Sequence, residues 1–211
     1  MAKKVHNFVP KKRCTTMIKT VKKYFALLIA IPIWVGCSSA WSEGERVLIN
    51  EADYSRMRVV TIANEADSLL LRTPSKPLTQ RHIEAPEFGR LVASMVETVG
   101  DPENEGVGIA APQVGVLRRV VVVQRFDKEG TPFEVYVNPE IVARGERVVL
   151  GPEGCLSVPD RREDVSRATE ITLRYCDAVT FELCEERVEG FTAVIFQHEI
   201  DHLDGILYID R

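Results

Sequence analysis

The 211-residue sequence predicts an α+β domain behind a short basic and apolar head. Three observations point there. Strand-like segments rich in β-branched residues recur between residues 120 and 188. Helical spacing of apolar residues appears before them, over 85–99, and after them, over 191–203. Hydrophobic residues make up 45% and charged residues 27%, the balance of an ordinary globular chain, which excludes wholesale disorder, collagen-like repeats and a polytopic membrane protein. A chain this long buries a real core within one domain.

In chain order, residues 38–56 read as a polar linker without periodicity, and 58–62 as a short apolar stretch. Pro74 and Pro77 mark a loop. Phe88, Leu91, Val92, Met95 and Val96 are spaced three and four apart, so 85–99 is expected to be an amphipathic helix. The run Gly-Asp-Pro-Glu-Asn-Glu-Gly at 100–106 ends it. Four consecutive valines, 120–123, predict a buried strand. Residues 133–137, 141–150 and 171–175 also read as strands, and 181–188 continues the sheet after a turn near Asp177. Residues 191–203 return to helical spacing.

Charge is unevenly placed. The net charge is -4, so the chain as a whole is not expected to bind nucleic acid directly. Residues 1–23 nevertheless hold eight of the 27 Lys and Arg and no acid, leaving 19 bases against all 31 acids in the remainder. Residues 24–35 are continuously apolar; as a helix they would span about 18 Å, short of the roughly 30 Å of hydrocarbon in a bilayer. The run leads into Gly36-Cys37-Ser38-Ser39, which resembles a bacterial lipoprotein cleavage box, although Trp34 stands where a smaller aliphatic is expected. Three readings of 1–56 stand: an export or lipid-anchoring signal plus linker, an untranslated extension if the start is Met17 or Met57, and an organelle transit peptide. Five scattered cysteines (14, 37, 155, 176 and 184) form no disulfide framework.

The chemistry concentrates in the last helix. His198-Glu199-Ile200-Asp201-His202 is an HExxH sequence. Two histidines four apart share one helix face and can reach one metal ion, while Glu199 stands beside them as a general base for activated water. Val194, Ile195, Phe196, Ile200 and Leu203 surround the motif, so these polar groups are expected to be buried and to need partners. Only nine residues follow His202. Gly205 fits a longer HExxHxxGxxH pattern, but its last position is Tyr208; Asp204 and Asp210 lie too near in sequence to reach back easily. A third ligand is therefore sought upstream. Cys155, in EGCLS (153–157), is the best candidate, with a buried structural thiol as its other reading; Cys176 and Cys184 are read as core. In GVGIAAPQ (106–113) small residues permit close backbone approach to a ligand. A nucleotide loop fits poorly there, because Ala111 occupies the last glycine of GxGxxG. Gln113 reads either as a solvated loop residue or as an amide donor to an oxyanion.

Together the three segments resemble the peptide deformylases, whose motifs GxGxAAxQ, EGCxS and QHExDH are matched in order at 106–113, 153–157 and 197–202. The resemblance extends over residues 57–211, the expected catalytic domain. It implies the deformylase-like fold, antiparallel sheets packed around a central metal-binding helix. It implies a hydrolase that removes the N-formyl group from formyl-methionine of newly made proteins and releases formate. Cys155, His198 and His202 would hold one divalent ion, Fe²⁺ above all, with Zn²⁺, Ni²⁺ or Co²⁺ as substitutes. Glu199 would act as base and then acid. Gln113 and the backbone N–H of Leu156 would hold the oxyanion, and Gly108 would bond the peptide substrate. Val107 and Val194 would line the methionine pocket, and Glu153 would pair with Arg162. The partners implied are N-formylmethionyl peptides, as nascent chains near the ribosome in the cytoplasm; a membrane enters only if the head with Cys37 is translated and retained. Two departures stand out: the chain ends soon after the metal helix, where many relatives add another helix, and the signal-like head conflicts with cytoplasmic work. The rival expectations are an exported hydrolase of another N-blocked peptide, a metalloprotease, and a non-catalytic binding protein of the same fold.

Overall fold

All four valines at 120–123 are inaccessible to solvent in the computed structural model, which describes residues 39–104 and 106–211. They belong to the second of seven strands among the described residues: β1 (Gly108–Ala110), β2 (Val120–Gln124), β3 (Phe133–Arg144), β4 (Val148–Cys155), β5 (Val158–Ala168), β6 (Glu170–Cys176) and β7 (Leu183–Glu189). Five helices accompany them: α1 (Glu43–Ala52), α2 (Glu65–Leu71), α3 (Gln80–Ile83), α4 (Pro86–Val99) and α5 (Gly190–Leu203).

Alternation along β2 explains the valine run. Val120 and Val122 join Ile109 and Val137 against Phe88, Leu91, Met95 and Val99 of α4. Val121 and Val123 join Ala110, Ile171, Leu173 and Val188 against Ala193, Phe196, Ile200 and Leu203 of α5. A strand covered on both faces needs apolar side chains at every position. The sheet is antiparallel throughout, in the order β1-β2-β3-β6-β7, and β4 with β5 forms a second, two-stranded sheet. The predicted α+β class is therefore observed, with α5 laid across the main sheet.

Several boundaries differ from the sequence reading. The expected strand 141–150 is two: β3 runs to Arg144 through register shifts, and β4 begins at Val148. Phe181, expected in a strand, has φ +60° and lies in the turn before β7, its N–H bonded to the carbonyl of Asp177. β5 was not expected, because its sequence is charged; it buries Val158, Val165, Arg167 and Ala168, leaves Glu163 half-buried and exposes the rest.

The expected linker 38–56 is corrected more sharply. It contains α1, ten residues long, with Ser42 and Glu45 closing a reciprocal capping box. Ile49 is fully buried, and Trp41, just before the helix, is 2% exposed. Two deep apolar anchors in a polar segment leave no periodic pattern to read; such a short helix depends on packing rather than propensity. The head with its apolar run and Cys37 lies outside the described residues.

Candidate metal centre and catalytic site

The long helix α5 sets His198 and His202 one turn apart, with ring centroids 5.0 Å apart. Cys155 arrives from the other sheet. It ends β4 at a register shift after Glu153, opposite Val158, and its thiol turns toward α5. Cys155 Sγ lies 3.2 Å from His202 Nε2, and one donor atom from each of Cys155, His198 and His202 lies within 4.8 Å of the others. Asp204 and Asp210, the downstream candidates, are engaged elsewhere, by Arg119 and Arg72.

Buried charges orient this group. His198 donates its Nδ1–H to Glu153 at 2.8 Å, which leaves Nε2 to face the cluster. Glu153 also accepts from the Nε–H and Nη2–H edge of the Arg167 guanidinium, at 2.7 and 3.0 Å, and Arg167 Nη1–H donates to Asp201 at 2.6 Å. Burial opposes the charge on Glu153, but the bonds from His198 and Arg167 outweigh it and hold its carboxyl down at about 2. The expected pairing with Arg162 is therefore corrected to Arg167. The cause is strand parity. Glu153 faces Glu163 across the hairpin, Arg167 is four residues on and shares that face, and Arg162 points to the other side, exposed beside Gly154.

Burial raises the Cys155 thiol, but the neighbouring His202 and His198 more than reverse this and hold it well below the ordinary thiol range. A thiolate with two imidazoles is a donor set suited to a first-row divalent ion. His202 Nδ1 and Glu199 Oε2 are both buried without a hydrogen-bond partner among the described residues, so the protein leaves polar capacity unfilled here. Residues and donor chemistry together fit a resident metal.

Glu199 is 4% exposed, and burial lifts its carboxyl to about 7 against the pull of the two imidazoles. Gly108 on β1 lies against it: a Cβ there would sit 2.5 Å from Glu199 Oε1 and 2.8 Å from Ile195 Cγ2. Gly108→Ala is accordingly expected to push Glu199 aside, lowering turnover at least tenfold and stability by about 1–3 kcal/mol. Steady-state kinetics and urea melts check this; wild-type turnover would show that Glu199 tolerates the shift.

Gln113 occupies a buried 3₁₀ turn, Ala111–Val114. Its Oε1 accepts the Ala110 N–H at 2.8 Å, which turns its Nε2 toward Ser157 Oγ at 3.3 Å and Cys155 Sγ at 3.4 Å. The solvated-loop reading of Gln113 is thereby excluded. Leu156, half-buried, occupies the turn between β4 and β5 beside Cys155. Val194 precedes His198 by one turn of α5, and Val107 leads into Gly108; both are half-buried.

Sequence reasoning missed three supports. Gln197 bonds the Ala168 backbone twice, at 3.1 and 2.8 Å, and so ties α5 to β5. Tyr208 stacks on His198 at 5.9 Å and donates its hydroxyl to the Arg161 carbonyl. Arg167 is the third. Gln197 stands inside the QHExDH motif, a signal that marks it; nothing in the sequence distinguishes Arg167 from its neighbours.

Comparison with known proteins identifies the family. Residues 57–211 match the family model of polypeptide deformylase. The chain is 40% identical over 149 residues to a peptide deformylase of Leptospira biflexa, covering 67% of this chain and 82% of that one. It is 43% identical over 141 residues to peptide deformylase 2 of Xanthomonas campestris, covering 66% and 79%. Among solved structures, a class I type b peptide deformylase from Acinetobacter baumannii superposes with a TM-score of 0.66 at 36% identity, over 74% of this chain and 99% of that one. The Thermotoga maritima peptide deformylase gives 0.64 at 33%, over 74% and 97%. With its three motifs gathered at one buried site and its fold shared, the chain belongs to the polypeptide deformylase family.

Proposed function

We propose that Cys155, His198 and His202 hold the divalent ion on which deformylation by this chain depends, and that the ion is Fe²⁺. The chain is a metal-dependent hydrolase with peptide deformylase function. The observation that carries the site assignment is the convergence of three donor atoms within 4.8 Å, beside a buried carboxylate oxygen without a hydrogen-bond partner among the described residues.

Such an ion, when bound, supplies the Lewis acidity that activates water near neutral pH. The protein does the rest. Glu199 takes the proton from the attacking water and passes it to the departing amine as the formyl C–N bond breaks, giving formate and a free N-terminus. Charge grows on the formyl oxygen during the attack. The Gln113 Nε2–H, aimed at the cluster by its bond to Ala110, and the backbone N–H of Leu156 donate to that oxygen. Gly108 brings bare backbone beside Glu199, where a peptide can lie flat and hydrogen-bond. Val107 and Val194 offer apolar walls to the methionine side chain. Arg167, through Glu153, keeps His198 turned to the metal.

The substrates of this reading are N-formylmethionyl peptides at the start of nascent chains, which places the work in the cytoplasm near the ribosome. Among the described residues no helix is long and apolar enough to cross a membrane. Gln113→Ala tests the oxyanion assignment: kcat is expected to fall about 10²–10³-fold with metal content unchanged. Wild-type kcat in that variant would remove Gln113 from the reaction. Metal analysis of protein isolated without oxygen tests the ion. One iron per chain and loss of activity in air are expected, since thiolate ligands oxidise readily; one zinc and air-stable turnover would replace Fe²⁺ with Zn²⁺ in this account.

A further inference from the structure

Residues 39–56 precede the stretch that matches the family, yet part of them is built into the catalytic domain. Trp41 and Ile49 share one core with Leu78, Phe88, Leu91 and Met95. The Trp41 indole donates to the His82 carbonyl at 3.2 Å and meets the His82 ring edge-on at 5.2 Å, and the Arg118 guanidinium lies 5.8 Å over its face. Arg118 also bonds Glu45 of α1 twice, at 2.6 and 3.1 Å, with both side chains 14% exposed. On the α4 side, Arg46 reaches Glu87 at 3.3 Å and Arg90 reaches Asn50 at 2.5 Å.

The α1 contacts also reach the connection between β1 and β2. That connection contains the Gln113 turn, then Gly115 at φ +86°, then Arg118. Leu48 Cδ1 lies 3.6 Å from where a Gly115 Cβ would be, which places α1 beside the residue that caps the turn. The Gln113 carbonyl accepts the Val60 N–H at 2.8 Å from another side. The backbone at Arg118 is fixed by its bridge to Lys76. Residue 60 thus bonds the turn that aims Gln113, while residue 76 and α1 hold the connection that leaves it.

We propose that Trp41 and α1 are a buttress for the Gln113 turn, and that they act on the reaction as positioning elements from outside the family's common domain. The proposal rests on the reading of Gln113 as an oxyanion donor. An amide donor works only when held within about 0.5 Å of its productive place, and a displacement of about 1 Å costs up to 10²-fold. α1 has little stability of its own at ten residues. Its docking, and with it one support of the turn, depends on the Trp41 anchor and the Glu45–Arg118 pair.

The test uses the full-length, metal-loaded chain with Trp41→Ala, Glu45→Arg, Arg118→Glu, the double exchange of Glu45 and Arg118, and Gln113→Ala in parallel. At a temperature well below each variant's melting point, the single variants are expected to lose about tenfold in kcat with KM for a formyl-Met peptide within twofold and metal content unchanged. The charge exchange is expected to recover part of that kcat, because it restores the ion pair though not the Ser42–Glu45 capping box, a rescue that mere loss of stability would not give. The charge variants keep the test open if Trp41→Ala fails to fold. A lowered melting point with kcat intact in the single variants overturns the buttress alone. Wild-type kcat in Gln113→Ala overturns the oxyanion reading and removes the ground for the buttress with it.

Discussion

Replacing Glu199 with Ala is expected to lower formate release by about 10²–10⁴-fold while the metal stays bound. The carboxyl is buried, one of its oxygens has no partner among the described residues, and it is not one of the three clustered donors. Its removal therefore takes away the proton carrier and leaves the ligand set whole. Stability is expected to hold or rise, because a buried carboxyl lacking a full set of partners costs folding energy. That combination separates a catalytic loss from a damaged fold. Kinetics, metal analysis and a thermal melt of one preparation read all three quantities. Wild-type turnover would end the general-base assignment, and loss of the metal would move Glu199 into the ligand set.

Arg167→Met should be the most destabilising single change near the site, by about 3–5 kcal/mol. Arg167 is 5% exposed and neutralises both Glu153 and Asp201, so its loss leaves two buried carboxylates short of their common cation. Asp201 retains Arg211, and Glu153 retains His198. The strain then falls on His198, whose orientation Glu153 sets, and metal affinity is expected to drop about 10–100-fold. Arg162→Ala is the contrast: exposed and pointing away, it should shift stability by no more than about 0.5 kcal/mol. Urea denaturation and metal titration of both variants decide between the two arginines. A stable Arg167→Met beside a crippled Arg162→Ala would contradict the pairing drawn here.

What could be read in advance followed from how local the signal was. HExxH on a helix is a spacing within five residues, so geometry follows from the sequence itself. Cys155 could be named as the best upstream candidate for a third ligand, with a structural thiol as its other reading, and the resemblance of EGCLS to a family motif implied the ligand role. Strands β2 and β6 and helices α4 and α5 announced themselves by burial pattern. Arg167 escaped because its role depends on which face of a hairpin each residue occupies, and its fourteen-residue separation from Glu153 carries no such information across a turn. β5 escaped because only four of its eleven residues are buried. α1 escaped because two anchors, Trp41 and Ile49, do the docking that a stripe of apolar residues does elsewhere.

The α1 docking also bears on which protein to assay. A fragment beginning at Met57 would match the family's span but would leave Leu78, Phe88 and Leu91 without Trp41 and Ile49. Assays are therefore best made on protein that retains Trp41 and α1.

Formate release from a formyl-Met peptide by the full chain, prepared without oxygen and loaded with Fe²⁺, tests the central claim most directly. Rapid release that a chelator abolishes and restored Fe²⁺ recovers is the predicted result. No release from protein carrying one metal per chain would contradict it, and would turn the search toward a different N-blocked substrate.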